Sequence, residues 1–365
     1  MSGFWKRYRK LHSWLATNLI LLAAFFLTRG RRAWMNTLEA RVTGPLRRHI
    51  GDLCYRTNFS VMEILCVVLV LFFAGYVAGN AAAVVRAKGH RWRRAYGAVL
   101  GAVCVVLTIY VGSCFLWGIN YYTDSFQDKS GIHAEKVAEG DLYRVTAYFA
   151  QQLKDTAGRV PRSGSGQFAV PRAQIFREST SVYSAVERDY PFMKFPDRVP
   201  KKVHFSKVMS LLDFTGVYCP FTGESNLNVD SPASLLPSTI AHELAHQRGI
   251  SSEQECNFLG VLASTTCGHP DYAYSGWLLG YIYLGNALYS SDRAKWKTVY
   301  FSLPLMVRAD LDANNAYWDR FHNKMVKKIS NRVYDSYLKG YGETKGLQSY
   351  GTVVDMLVAY YKNKI

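Results

Sequence analysis

Long apolar runs dominate the first third of the chain. Residues 64–85 and residues 95–118 contain no charged side chain over 22 and 24 positions, respectively. About 20 such residues are needed to cross the hydrocarbon core of a bilayer, and within lipid a helix satisfies the backbone hydrogen bonds. These two runs therefore predict transmembrane helices over about residues 62–85 and 95–118.

An earlier apolar run, residues 11–28, is shorter and contains His12 and Asn18. A cleaved signal peptide would carry small residues at A-x-A spacing near its end, and these are missing before Arg29. We expect an uncleaved anchor, with an interfacial helix as the alternative. Residues 1–118 would then form a membrane domain with three transmembrane helices, followed by a second domain over residues 119–365.

The distribution of charge supports a membrane protein rather than a nucleic-acid-binding one. The net charge is +17, and residues 1–118 hold 16 Lys and Arg against 3 Asp and Glu, beside the apolar runs. The link between the second and third runs carries five basic residues and predicts a cytoplasmic position, although seven arginines between the first and second runs disagree. The shorter link predicts a multi-pass protein of the cell membrane with an extracytoplasmic C-terminal domain.

The C-terminal part mixes polar and apolar positions. Apolar residues at helical spacing predict a helix over 135–157, and a similar pattern from Tyr274 to Leu288 predicts a core-packing face. Strand-like stretches at 203–205 and 216–218 precede residues 225–229, whose alternation of polar and apolar positions predicts an edge strand. Helical patterns follow from Pro237. This order predicts a mainly helical α+β fold with a small sheet.

The pentapeptide from His242 to His246 carries the candidate chemistry. His242 and His246 share a helix face at i and i+4, where both imidazoles can reach one zinc ion, and Glu243 can reach a water as general base. Pro237 suits the first turn of this helix, and Gly249 suits its end. Glu253 and Glu255 are both candidates for the third ligand that zinc needs.

A second helix is expected to begin at Ser251 or Ser252. Glu253 and Asn257 would share its face, so that Asn257 could orient a liganding Glu253. His269 is a weaker alternative ligand.

The segment HELAHQRGI followed by EQECNF resembles the gluzincin arrangement of the heat-shock and prenyl-protein membrane proteases. The chain is also similar, from residue 59 onward, to a bacterial three-span membrane family of unknown function. That likeness rests on residues 117–121, 220–224, the HELAHQRG helix and 337–351. The resemblance implies a zincin-like domain and favours Glu253 as the third ligand. Cys256, where the pattern usually has Ala, and the short gap between His246 and Glu253 depart from it.

The same resemblance suggests where a substrate would bind. In gluzincin-like sites an edge strand binds an extended peptide through main-chain hydrogen bonds, and Ser225, Asn226, Leu227 and Asn228 are the candidates here. Tyr350 is the candidate donor that stabilises the oxyanion, and Glu224 is a weaker substrate-binding candidate.

The sequence therefore predicts a membrane-anchored zinc metallopeptidase acting on a protein or peptide, with the lipid bilayer as its other partner. The alternative is an inactive metal-binding scaffold or sensor. Intramembrane proteolysis is disfavoured because polar sequence flanks the motif. Cys54, Cys219, Cys256 and Cys267 could include a disulfide on an oxidising side of the membrane, but the sequence assigns no pairing, and the oligomeric state stays open.

Overall fold

The protein is described from a computed structural model, in which residues 2–87, 89–321, 332 and 350–365 are defined. The chain forms two compact units. The first comprises Met1–Thr123 and Pro220–Gly223, and the second comprises Asp124–Cys219 and Glu224–Ile365. The four residues Pro220–Gly223 thus belong with the N-terminal helices.

The described part of the first unit is helical. Its helices are α1 (Ser2–Thr28), α2 (Arg32–Leu38), α3 (Gly44–Cys54), α4 (Val61–Val85) and α5 (Arg91–Leu116), with a π-helical turn over Glu39–Thr43 and a 3-10 turn over Gly118–Tyr122. Segments of α1, α4 and α5 are long and apolar enough to cross a membrane: Lys6–Thr28, Val61–Val85 and Arg91–Leu116. The prediction of three apolar membrane helices is confirmed at this level.

Polar side chains join α1 to α5 within the apolar region. The amide of Asn18 donates to Thr108 Oγ1 at 3.1 Å, and the indole N–H of Trp14 donates to the same oxygen at 2.9 Å. His12 Nε2 lies 2.7 Å from the Tyr96 hydroxyl. Apolar side chains gain little by leaving lipid for one another, so such hydrogen bonds help to hold membrane helices together.

The second unit is built mainly from helices around one core. The helices are α6 (Phe126–Ser130), α7 (Glu139–Ala157), α8 (Arg172–Glu178), α9 (Ser184–Asp189), α10 (Ser206–Leu211), α11 (Leu236–Gln247), α12 (Glu253–Thr266), α13 (Pro270–Ser291), α14 (Arg293–Ser302), α15 (Leu305–Phe321) and α16 (Tyr350–Tyr361). The helix expected over 135–157 begins at Glu139.

Helix α13 lies at the centre of this core and packs against α7, α11 and α12. The face predicted from Tyr274 to Leu288 is buried, and the rings of Trp277 and Phe149 meet edge to face at 4.9 Å. Burial of this apolar face favours folding of the unit that carries α11 and α12.

The sheet has three strands in the order β1–β3–β2: β1 is Lys201–Val203, β2 is Gly216–Cys219 and β3 is Glu224–Asn228. Strand β1 runs parallel to β3, and β2 runs antiparallel to it. A mainly helical fold with a small sheet is confirmed. The first strand begins two residues before the expected stretch and ends at Val203, since α10 follows from Ser206.

The prediction that residues 225–229 form an edge strand is wrong. Strand β3 is the central strand, hydrogen-bonded on both sides, and every residue of it is buried. The alternation of polar and apolar residues indicates which side chains lie on each face of a strand, but it does not indicate whether one or two strands pair with it.

Candidate metal centre

Helix α11 places His242 and His246 on one face. Pro237 lies in its first turn, where a proline is tolerated, and Gly249 follows its last residues with φ +85°. The Gly249 N–H donates to the His246 carbonyl at 2.9 Å, which ends the helix directly after the second histidine. The two imidazole rings meet edge to face with centroids 4.9 Å apart.

The turn after α11 brings Glu253 back to the two histidines. Helix α12 begins at Glu253 with Ser252 as its N-cap residue, as expected, although the Ser252 side chain makes no capping hydrogen bond. His242 Nε2 lies 3.3 Å from Glu253 Oε2, and His246 Nε2 lies 3.5 Å from Glu253 Oε1. One ligand atom from each residue lies within 4.8 Å of the other two.

The two distances to Glu253 are compatible with ligands of one metal ion. Zinc binds imidazole nitrogen and carboxylate oxygen at about 2.0–2.1 Å, so neighbouring ligands of a regular tetrahedron lie about 3.3–3.4 Å apart. The His242 and His246 distances to Glu253, 3.3 and 3.5 Å, are close to that value, although each is measured to a different oxygen of the carboxylate. Three protein ligands leave the fourth position of such an ion for a water or substrate.

The site is open enough to be reached from solvent. The side chains of His242 and Glu253 are 14% and 28% exposed, whereas that of His246 is 8% exposed. Burial would raise the pKa of the Glu253 carboxyl, but His246 and His242 outweigh it and hold this pKa well below its usual range. Glu253 is therefore a carboxylate, the form that binds a metal.

Glu243 lies on α11 next to His242 but is directed into the protein. It is 3% exposed, and its Oε2 has no hydrogen-bond partner among the described residues. Burial raises the pKa of this carboxyl, while the two neighbouring histidines oppose the change. Gly216 of β2 packs directly against it: a Cβ atom at position 216 would lie 2.5 Å from Glu243 Oε1.

Groups behind His246 fix its ring. Its Nδ1 donates to the Ile250 carbonyl at 2.8 Å, so Nε2, which faces Glu253, is the ring nitrogen that would bind a metal after losing its proton. The Cys256 thiol lies 3.3 Å from the same Nδ1 and donates to the Ile250 carbonyl at 3.4 Å. Burial raises the pKa of Cys256 to about 12, so this group remains a thiol.

Sequence reasoning did not predict this supporting role of Cys256. It predicted Asn257 instead, which lies on α12 one turn after Glu253 and is half-buried. The predicted role of Asn257 in orienting Glu253 stays a prediction. The departure of Cys256 from the usual Ala was the one available signal in the sequence.

Glu255 contacts helix α6 instead of the two histidines. Its two carboxylate oxygens accept hydrogen bonds from the backbone N–H groups of Phe126 and Gln127, each at 3.0 Å. These N–H groups belong to the first turn of α6, where a carboxylate is favourable. Of the two candidate glutamates, the structure brings Glu253 to the histidines.

Three further residues were candidates from the sequence: His269 as a ligand, Glu224 for substrate binding and Tyr350 for oxyanion stabilisation. His269 Nε2 lies 2.7 Å from Ser181 Oγ, and its Nδ1 faces Glu178 at 3.7 Å. Glu224 is fully buried on β3, 4.0 Å from Lys201 Nζ. Tyr350 is the first residue of α16, but its side chain lies outside the described residues, and its proposed role stays a prediction.

The residues predicted to bind substrate instead connect the sheet to α11. Ser225 Oγ donates to the Glu243 carbonyl at 3.0 Å and accepts from Gln247 Nε2 at 3.0 Å. Asn226, Leu227 and Asn228 are fully buried. A main chain already paired on both sides cannot add a peptide strand, so these residues cannot bind a substrate in the expected way, through an unpaired strand edge.

Arg248 anchors the end of α11, and sequence reasoning missed it. Its side chain is 2% exposed and forms ion pairs with Asp197 and Glu187, each at 2.7 Å. The guanidinium also lies 3.8 Å from the centroid of Tyr183, whose hydroxyl donates to the Ala241 carbonyl at 2.8 Å. These contacts hold both halves of the helix that carries the histidines.

Comparison with known proteins gives a family and no activity. Residues 45–358 match the family model described as "Protein of unknown function (DUF3810)". No curated protein and no solved structure matches the chain.

Proposed function

The chain belongs to the family described as a protein of unknown function (DUF3810), and we propose that it is a membrane-anchored zinc metallopeptidase. The observation that carries the proposal is the convergence of His242, His246 and Glu253, whose ligand atoms lie within 4.8 Å of one another. Glu243, adjacent to the first ligand, supplies the carboxylate that such a reaction needs.

Metal binding and proton transfer in peptide hydrolysis are assigned to different residues. His242, His246 and Glu253 would hold the ion, which when bound supplies Lewis-acid polarisation and eases ionisation of water. Glu243 takes the proton of the attacking water and passes it to the leaving amine. Its burial and the lack of a partner at Oε2 among the described residues suit this task, since no ion pair competes for the proton.

Cys256 and the Ile250 carbonyl orient His246, and Ser225 holds the backbone of Glu243 against the sheet. Such partners keep a ligand and a base in register with each other during the reaction. The substrate class is a peptide or protein, including a peptide linked to the cell envelope. The predicted orientation places the second unit outside the cytoplasm.

A metal-binding scaffold is the competing function. The three ligands come from α11 and α12, two helices that pack against each other in the core, so an ion there would also cross-link them. A structural ion would stabilise this pair without requiring Glu243.

The test uses the full chain in detergent with one zinc added per chain. Three proteins are compared: native protein, Glu243→Gln and the matched control Glu139→Gln, which changes an exposed residue of α7. Each is incubated with membrane and envelope proteins, and the new peptide N-termini are identified by mass spectrometry. A peptidase yields the same cleavages with native protein and Glu139→Gln and none with Glu243→Gln, while all three keep zinc. Equal zinc binding with no cleavage by any of the three contradicts the proposal and favours the scaffold.

The predicted orientation has its own test. Reporter domains fused at residue 90 and at the C-terminus should report the cytoplasm and the exterior, respectively. The reverse pattern would place the metal centre in the cytoplasm and restrict the substrate to cytoplasmic peptides.

A further inference from the structure

The segment between the first two membrane helices carries an unexplained excess of positive charge. It contains seven arginines but only Glu39 and Asp52 as acidic residues. The link after α4 is also basic, and α4 separates the two segments, so both cannot follow the positive-inside rule if α4 crosses the membrane. One of these two basic segments therefore has another reason for its charge.

Arg47 and Arg29 form contacts inside the first unit. Arg47 is buried, donates to Glu39 at 2.9 Å and to the Leu116 carbonyl at 3.2 Å, and lies over the Trp117 ring. Arg29 donates to the Tyr122 hydroxyl at 2.8 Å. The others, Arg31, Arg32, Arg41, Arg48 and Arg56, are exposed.

One face of α3 packs against other parts of the first unit. Gly44, Arg47 and Gly51 recur on this face at helical spacing and are buried. Gly51 meets the backbone of Gly223 so closely that a Cβ atom at position 51 would lie 3.2 Å from the Gly223 carbonyl oxygen. This contact fixes which side of α3 faces outward.

The outward side carries a stripe of apolar residues. Val42, Leu46 and Leu53 extend along it, and Trp34 and Leu38 continue the same spacing through α2. Trp34, Val42, Leu46 and Leu53 are between 46% and 52% exposed. A helical segment with one exposed apolar side and exposed arginines on its other side is typical of a segment that lies in a membrane interface.

The ends of the segment hold it at the membrane surface. Helix α2 begins at Arg32, directly after the candidate span that ends at Thr28, and α3 ends at Cys54, shortly before the span that begins at Val61. The apolar side chains of the spans are themselves exposed, so the stripe continues a surface that lipid covers. Tryptophan is enriched at the boundary between the headgroups and the acyl chains, so Trp34 also favours a position in the membrane interface.

We propose that residues 32–54 form an interfacial helical segment that binds anionic phospholipids. The apolar stripe enters the acyl region of one leaflet, and Arg31, Arg41, Arg48 and Arg56 bind the phosphate groups of the surrounding headgroups. This occupant accounts for both the exposed apolar side chains and the positive charge beside them. The inference requires membrane insertion of the spans but no catalytic activity.

Spin labels at Leu46→Cys and Arg48→Cys test the depth of α3. The labels are placed in full-length protein whose Cys54, Cys66, Cys219 and Cys267 are replaced by Ser, in nanodiscs containing phosphatidylglycerol. We expect the label at 46 to collide several-fold more with oxygen than with a water-soluble nickel chelate, and the label at 48 to show the reverse. Strong access of the chelate to position 46 would overturn the proposal, and so would protection from both reagents, which would indicate a second copy of the chain on this face.

The charge is tested separately by counting bound lipids in native mass spectrometry. A variant with Arg31, Arg41, Arg48 and Arg56 changed to Gln should retain at least twofold fewer phosphatidylglycerol molecules per chain than native protein. The matched control loses the same charge at exposed positions of the second unit: Lys154, Arg159, Arg188 and Arg293 changed to Gln. Equal retention in the two variants would contradict headgroup binding.

Discussion

A methyl group added at Gly216 should disable the proposed general base without removing the metal. Gly216 lies on β2 against the Glu243 carboxyl, and a Cβ atom there would lie 2.5 Å from Oε1 and 2.7 Å from Cγ. Ordinary contacts of this kind are 3.4–4 Å long. The carboxyl group must therefore move by about 1 Å, and a misplacement of that size costs about 100-fold in rate, or about 2.7 kcal/mol of activation free energy.

The assay compares initial cleavage rates and zinc per chain for native protein, Gly216→Ala and Val217→Ala. The control at Val217 alters the neighbouring position of the same strand, whose side chain points to the opposite face. We expect Gly216→Ala to keep its zinc and to lose about 100-fold in rate, with Val217→Ala close to native. A Gly216→Ala protein within threefold of the native rate would refute the reasoning, as would an equal loss of rate in the control.

Three further predictions concern stability, measured by unfolding in detergent. Arg248→Ala removes the partner of Asp197 and Glu187 and should cost about 3–5 kcal/mol; a loss below about 1 kcal/mol would show that the buried ion pairs contribute little. Glu255→Gln should keep zinc and lose about 1–3 kcal/mol, because one oxygen that accepts from the first turn of α6 becomes a donor; unchanged stability would argue against this cap. Burial, followed by the nearby Glu178 carboxyl, raises the pKa of Asp271 to about 7, so the folded protein holds a proton that the unfolded chain releases above about pH 4. Stability from this group should therefore fall as the pH rises from about 4 to about 7, and Asp271→Asn should flatten the profile measured in EDTA; identical slopes would contradict it.

The parts of the site that are local in sequence could be predicted. The spacing of His242 and His246 needs only a helix, and Pro237 and Gly249 mark its beginning and end at positions that the structure confirms. The apolar helices were predictable for the same reason, since length and composition suffice.

The parts that depend on distant contacts could not be predicted. The role of Glu255 depends on α6, which precedes it by more than 120 residues and appears in the sequence as an ordinary short polar stretch. The central position of β3 depends on β1, a three-residue strand whose pairing has no local signal. Spacing on a helix cannot report whether Cys256 or Asn257 supports a ligand, because that depends on where the preceding turn places Ile250.

The central claim is that His242, His246 and Glu253 form a zinc site. The most direct measurement is zinc per chain in detergent-purified protein, for the native sequence, Glu253→Gln and Glu255→Gln. We predict about one zinc per chain in native protein and in Glu255→Gln, and its loss in Glu253→Gln, since a three-ligand site would be reduced to two. Loss of zinc only in Glu255→Gln, or no zinc in native protein after reconstitution, would contradict the account.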